Sequence, residues 1–213
     1  MSNFGFARLR VVNPYEVAFR EARSAVGAAE ILTAAEEYKT VADAIADCSL
    51  VVGTTAIRNR QPRQALRSLN AGASLIRAHL KSGQVALLFG SEKRGLSNDD
   101  LSHCHWLMRI PTLEEHPSMN LGQSVAVCLY EFVRAERIEA GSEARALSNA
   151  AELERITGLL LETLRASGYL NDVTAQVQET KIRTFVLRLG LRPEDSELLL
   201  GMLRQIAWKL KNS

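Results

Sequence analysis

Between Gly83 and Phe132 the chain carries two apolar runs that each stop at glycine or small polar residues, VALLFGSEKRGLS and RIPTLEEHPSMNLGQSVAVCLYEF. An apolar run without alternation is the pattern of a strand covered on both faces, as in a parallel sheet. Loops leaving the carboxyl ends of such strands are where α/β proteins build ligand clefts. The feature therefore predicts a mostly parallel sheet with helices on both faces and a site at the ends of these strands.

The rest of the chain fits that frame. Short strands are predicted at Arg8–Val12, closed by Asn13-Pro14, at SLVVGTT, at Val85–Phe89 with both faces buried, and at Trp106–Ile110. Helices are predicted at Tyr15–Val26, at Val41–Ala46 with Thr40 as cap, at Ser68–Lys81, briefly from Asn98, and at Asn120–Arg137. The last should turn Leu121, Val125, Cys128, Leu129 and Phe132 inward. Residues 139–150 are polar and glycine-containing and are read as a linker between a domain at 1–138 and a helical extension at 151–213. Three helices are expected there, Ala151–Ser167, Val173–Leu189 and Pro193–Lys211.

A net charge of +2 does not by itself argue for nucleic-acid binding, and a local basic patch stays open. The three cysteines, Cys48, Cys104 and Cys128, form no CxxC pair, which suits a reduced, cytoplasmic setting and core packing. No apolar run approaches the length of a membrane span.

Gly90 and Gly95 punctuate the loop after Phe89, but the spacing is neither a Rossmann fingerprint nor a P-loop. Glu92, Lys93 and Arg94 are either a solvated charge cluster or a carboxylate beside a substrate hydroxyl with two cations for phosphates. Ser118 is first a helix cap, and caps also border free backbone N–H groups that can face a ligand. Arg58, Arg60 and Arg63 are either solvated loop cations or a phosphate-facing patch. His103 and His105 should face opposite sides of an extended segment, so no metal site is read there. Tyr130 and Trp106 are read as packing residues before stacking platforms.

Taken together, LLFGSEKRGLS, the strand ending RIP, and SMNLGQSVAVCLYE resemble the SpoU/TrmH branch of the SPOUT methyltransferases. The likeness continues through VVNP, CSLVVGTTAIRNR and the helical tail, and covers Asn3 to about Lys211. It implies a SPOUT-type α/β fold with a mostly parallel sheet, a C-terminal trefoil knot and a small all-helical extension. It implies S-adenosylmethionine as cofactor, RNA as substrate, 2'-O-ribose methylation as the reaction, and a homodimer. The tail resembles that of tRNA-modifying members, which points to nucleotide 32 of the anticodon loop. Position by position, Thr54, Thr55, Ala56, Gly90, Ile110, Ser118, Met119 and Asn120 match cofactor-binding places. Glu92, Ser118 and Asn120 match the polar residues near the reacting ribose, and Leu121 and Gly122 open the helix threaded through the knot.

One part of the pattern is unmatched. The family's first motif is a strand, an Asn/Gly turn and a helix carrying an arginine, and Met1–Gly5 matches only the end of that helix. The expectation is a longer natural chain and poor or no methyl transfer by these 213 residues, with an uncovered sheet edge. None of Arg8, Arg10 and Arg20 occupies the motif position. The competing readings are a ribosomal RNA methyltransferase, an inactive relative that only binds RNA or cofactor, and a small-molecule α/β enzyme with a helical appendage.

Overall fold

The computed structural model describes residues 1–14, 29–56, 64–134, 147–170 and 175–212. The helix expected at 15–26, the arginines of residues 57–63 and most of the linker lie outside the described residues.

At the centre is β3 (Leu50–Thr54), whose neighbours are β5 (Val85–Leu88) and β6 (Trp106–Arg109), both parallel to it. Beyond β6 lies β4 (Ala65–Ser68), giving the order β4-β6-β3-β5. Side chains alternate across a strand, so neighbours in sequence feed opposite faces. Val52 and Met108 join Leu69, Ala73 and Ile76 of α3 (Leu69–His79) and Cys128, Leu129 and Phe132 of α5 (Leu121–Val133). Val51 and Leu107 point the other way, to Ile45 and Cys48 beyond α2 (Val41–Ala44) and Leu101 of α4 (Asn98–Ser102). Val51, Val52 and Leu107 are completely buried, and burying a side chain of this kind contributes about 1.5–3 kcal/mol.

The helix starts follow from their caps. Thr40 accepts from Asp43 N, Ser68 from Ala71 N, and Ser97 forms a reciprocal capping box with Asp100. Asn120, not Ser118, caps α5: its side chain accepts from Gln123 N, leaving Ser118 in the loop before it.

The structure departs from the sequence expectation at several elements. β4 is exposed along its length, and nothing in ALRS marks a strand; pairing with the buried β6 makes it one. A second two-stranded parallel sheet joins β1 (Arg10–Val12) to β2 (Glu36–Tyr38), preceded by the short helix α1 (Ala29–Thr33). EEY has no apolar signal; Arg8 and Arg10 hold Glu36 there by ion pairs, at 2.7 Å for Arg8. β5 is half-buried rather than covered on both faces, because it ends the sheet order among the described residues. Leu121 is exposed rather than inward, since α5 starts at the mouth of a cleft.

The extension is three helices, α6 (Ala150–Ala166), α7 (Ala175–Arg188) and α8 (Pro193–Lys211), around Leu153, Ile156, Val186, Leu187, Leu200 and Leu203. Residues 147–150, the described part of its junction, are packed. Ser148 is buried with its hydroxyl 2.6 Å from that of Ser196, and Ala150 and Ala151 donate their N–H groups to Cys48 and Ala46. Arg183 of α7 donates to Glu154, to Glu179 and to the Ser102 hydroxyl of α4, tying the extension to the α/β unit.

Candidate active site

The carboxyl ends of β3, β5 and β6 open into one cleft of about 530 Å³. That lies within the range of small-molecule and cofactor sites, and at the ends of parallel strands where such sites form. Thr54, Thr55 and Ala56 come from the end of β3 and the residues after it, and Phe89 to Leu96 from the loop after β5. Met108 comes from β6 and Ile110 from just past its end, and Thr112, Pro117, Ser118 and Met119 from the loop before α5. Leu121 and Ser124 close it from α5.

Hydrogen bonds hold the strand ends in register there. The Thr54 hydroxyl donates to Leu88 O at 2.8 Å, and Thr55 N donates to Met108 O at 3.0 Å. The loop after β5 folds back on itself, with Gly95 N donating to Ser91 O at 2.7 Å. Gly90 lies under that return. A Cβ there would stand 2.0 Å from Gly95 C and 2.1 Å from Leu96 N, so only glycine lets the loop close.

Glu92 turns toward the start of α5. Its Oε1 accepts from Asn120 Nδ2 at 2.9 Å and more loosely from Leu121 N at 3.4 Å. Asn120 is thus fixed at both ends, because its Oδ1 also accepts from Gln123 N. A carboxylate at a helix N-terminus is favoured by the macrodipole.

Of the residues predicted from sequence, Thr54, Thr55, Ala56, Gly90, Glu92, Ile110, Ser118 and Met119 line the cleft together. Asn120 stands beside it, reached through Glu92. Lys93 and Arg94 are exposed at the rim. Phe89, Leu96, Met108, Thr112 and Ser124 also line the cleft and were not singled out. Phe89 closes the strand that was, which was the available signal; Ser124 lies one helical turn past Asn120 and carries none.

The histidines go elsewhere. His105 Nδ1 accepts from Val51 N at 3.1 Å, and burial pushes its pKa down to about 4. His103 lies 3.3 Å from Glu154. His79 contacts the Ser49 hydroxyl at 2.8 Å, and burial lowers its pKa too. Trp106 is buried in the core with Arg67 over its ring, while Tyr130 is exposed and meets Phe4 edge-on. Among the described residues no three His, Cys, Asp or Glu side chains gather as a metal site.

The strand order and cleft define an α/β protein with a nucleotide-sized site at its parallel strand ends. Residues 1–130 match the model of the SpoU rRNA Methylase family, and the chain belongs to that family. It is 34% identical over 97% of its length to the tRNA (cytidine/uridine-2'-O-)-methyltransferase TrmJ of Sodalis glossinidius, covering 83% of that protein. To TrmJ of Escherichia coli strain K12 it is 33% identical over its whole length, covering 89% of the relative. The crystal structure of TrmJ from Z. mobilis ZM4 superposes with a TM-score of 0.82 at 29% identity, over 97% of this chain and 89% of that one. A probable methylase family protein from Haemophilus influenzae matches with a TM-score of 0.58 at 25% identity, over 99% of this chain and 88% of its own. The architecture is therefore the α/β fold of the SPOUT methyltransferases with a helical extension.

Proposed function

We propose that the chain is an S-adenosylmethionine-dependent tRNA 2'-O-ribose methyltransferase acting at nucleotide 32 of the anticodon loop. The observation that carries this is the convergence of Thr54–Ala56, Gly90, Ile110 and Ser118–Met119 on one cleft, in a chain similar over its full length to tRNA 2'-O-methyltransferases. The family description names ribosomal RNA, but the likeness to the tRNA enzymes includes the helical extension as well.

The cleft suits this cofactor. Its lining includes the apolar Phe89, Leu96, Met108 and Ile110, which suit a flat base, beside Thr54, Thr55, Thr112 and Ser118. When bound, S-adenosylmethionine supplies an electrophilic sulfonium methyl group. The protein's task is then alignment of a ribose hydroxyl in line with that methyl, and a place for its proton. Ser118, exposed on the loop before α5, can hydrogen-bond the incoming hydroxyl. Asn120 is held rigid by Glu92 and α5, so Glu92 is a positioning residue for it. Lys93 and Arg94 stand where phosphates flanking the target ribose would pass. The 2'-OH requirement confines the substrate to RNA.

The knotted return implied by the family likeness is supported by the bonds from Asn120 and Leu121 to Glu92, which draw the chain after β6 back to the loop after β5. A homodimer is supported by the exposed apolar face of α5, with Val127, Tyr130 and Val133. No described helix is long and apolar enough to cross a membrane; a cytoplasmic location goes with the proposed tRNA substrate.

The test is transfer of tritiated methyl from S-adenosylmethionine to unmodified tRNA. Label on the ribose of nucleotide 32, abolished by 2'-deoxy substitution there, supports the reading. Label on a base, or on ribosomal RNA in preference to tRNA, overturns it.

A further inference from the structure

An arginine withdrawn from solvent needs a partner, because a guanidinium does not shed its charge and an unpaired buried charge is strongly unfavourable. Among the described residues Arg10, Arg77, Arg109 and Arg183 are buried or half-buried. Arg10 donates to Asp47 at 2.7 Å, Arg77 to Glu131 O at 2.9 Å, and Arg183 to Glu154 at 2.8 Å. Arg109 differs from these three. Its Nε is sealed from water without a hydrogen bond, and no carboxylate among the described residues pairs with its guanidinium. The Nε atoms of Arg10 and Arg77 are unbonded too, but their terminal nitrogens are held.

Arg109 is the last residue of β6. Its sequence neighbours Met108 and Ile110 line the cleft, and Arg109 does not. Alternation along the strand sends its side chain to the face of Leu107, away from that of Met108. It is in register with Ser68 of β4, a strand exposed along its length, so this side of the site is open. Lys93 and Arg94 stand on the other side, after β5, with β3 between.

We infer that Arg109 binds a backbone phosphate of the RNA substrate, on the β6 side of the cleft and opposite Lys93 and Arg94. The inference rests on the proposed reaction and names a further residue for its substrate. An internal ribose of an RNA strand carries a phosphate on each side, and Lys93 and Arg94 serve one side only. A guanidinium presents paired donors to a phosphate and is more weakly hydrated than an ammonium, which suits a half-buried cation awaiting its anion. The carboxylate of the cofactor would suit the same fork. A cofactor held within the cleft does not reach a guanidinium outside its lining, whereas an RNA strand crossing the mouth does.

The test compares wild type with Arg109→Met and Arg109→Lys. Binding of unmodified tRNA, read by filter retention across a salt series, should weaken about tenfold in Arg109→Met. The slope of log affinity against log salt should become shallower by about one. Arg109→Lys keeps the charge without the fork, so it should keep the slope and lose about threefold in affinity. Titration of S-adenosylmethionine should give the same affinity for all three, within about twofold. Urea unfolding should place the Arg109→Met midpoint at or above that of wild type, since the change removes a charge that the free chain leaves unpaired. A side chain that braced the fold would lower that midpoint, and a lower midpoint overturns the inference. Cofactor affinity that falls in Arg109→Met while the salt slope stays unchanged assigns the guanidinium to the carboxylate and overturns it too. So does tRNA binding that Arg109→Met leaves unchanged in strength and slope. A wild-type chain that does not bind tRNA overturns the proposed function together with this inference, which keeps the two failures distinct.

Discussion

Gly90 and Gly95 sit five residues apart in one loop, and the structure gives them different reasons to be glycine. At Gly90 a Cβ would meet Gly95 C at 2.0 Å, Leu96 N at 2.1 Å and Gly95 O at 2.4 Å. All three are backbone atoms, so no side-chain rotation relieves the collision and the returning loop must move. Overpacking of this kind costs typically 1–3 kcal/mol, and with only backbone to yield, Gly90→Ala belongs at about 3 kcal/mol. Gly95 has φ +67°, and its Cβ would meet nothing within 4 Å. Gly95→Ala therefore carries only the left-handed penalty, about 1–2 kcal/mol. The loop that Gly90→Ala displaces lines the cleft and carries the buried Leu96 beneath it. Urea unfolding followed by circular dichroism should rank Gly90→Ala as the more destabilised. Titration calorimetry with S-adenosylmethionine should show at least about tenfold weaker binding by Gly90→Ala, and within about threefold of wild type for Gly95→Ala. If Gly90→Ala is no less stable than Gly95→Ala, or binds the cofactor like wild type, the loop is not built against Gly90.

Stability should fall with acid in two stages. Burial lowers the His105 pKa from 6.5 to about 4, so stability present above pH 6.5 is lost as the pH drops toward 4; His105→Asn should flatten that stretch in urea titrations. Hydrogen bonds from Arg8 and then Tyr38 hold Glu36 down at about 2, and Arg10 holds Asp47 well below the carboxylate range, so a second loss follows from about pH 4.5 to 2. Arg183→Met strands Glu154 and the Ser102 hydroxyl and should cost about 3 kcal/mol by urea unfolding, with Glu154→Gln added to it recovering part. Burial raises the thiol of Cys48 to about 11 and those of Cys104 and Cys128 to about 12, so a thiol-reactive disulfide reagent should label none in the native protein and all three in urea.

The parallel sheet was legible because VALLF and SLVVGTT are apolar runs without alternation, and glycine and small polar residues mark where each strand ends. The cap residue Thr40 was legible for the same reason, as local chemistry, whereas Ser68, read as the first residue of its helix, proved to be its cap. β4 and β2 were not, because ALRS and EEY become strands only through neighbours distant in sequence. Ser118 and Asn120 are equally good caps on paper, and the choice fell to Asn120 through Glu92, a contact 28 residues away. The half-buried state of β5 likewise depends on which strand lies beside it. At the cleft, the motif residues were readable but the partners that shape it were not: Ser124 reaches it through the geometry of α5, and Gly90 is constrained by the return of its own loop.

The central claim is that the cleft at the ends of β3, β5 and β6 holds S-adenosylmethionine. Calorimetric titration of the cofactor into the folded chain tests it most directly, with Gly90→Ala and Met119→Glu as cleft variants. Saturable binding near one site per chain, weakened at least about tenfold in both variants, is the predicted result. Binding that is unaffected by both variants, or no binding by a chain shown to be folded, would contradict it.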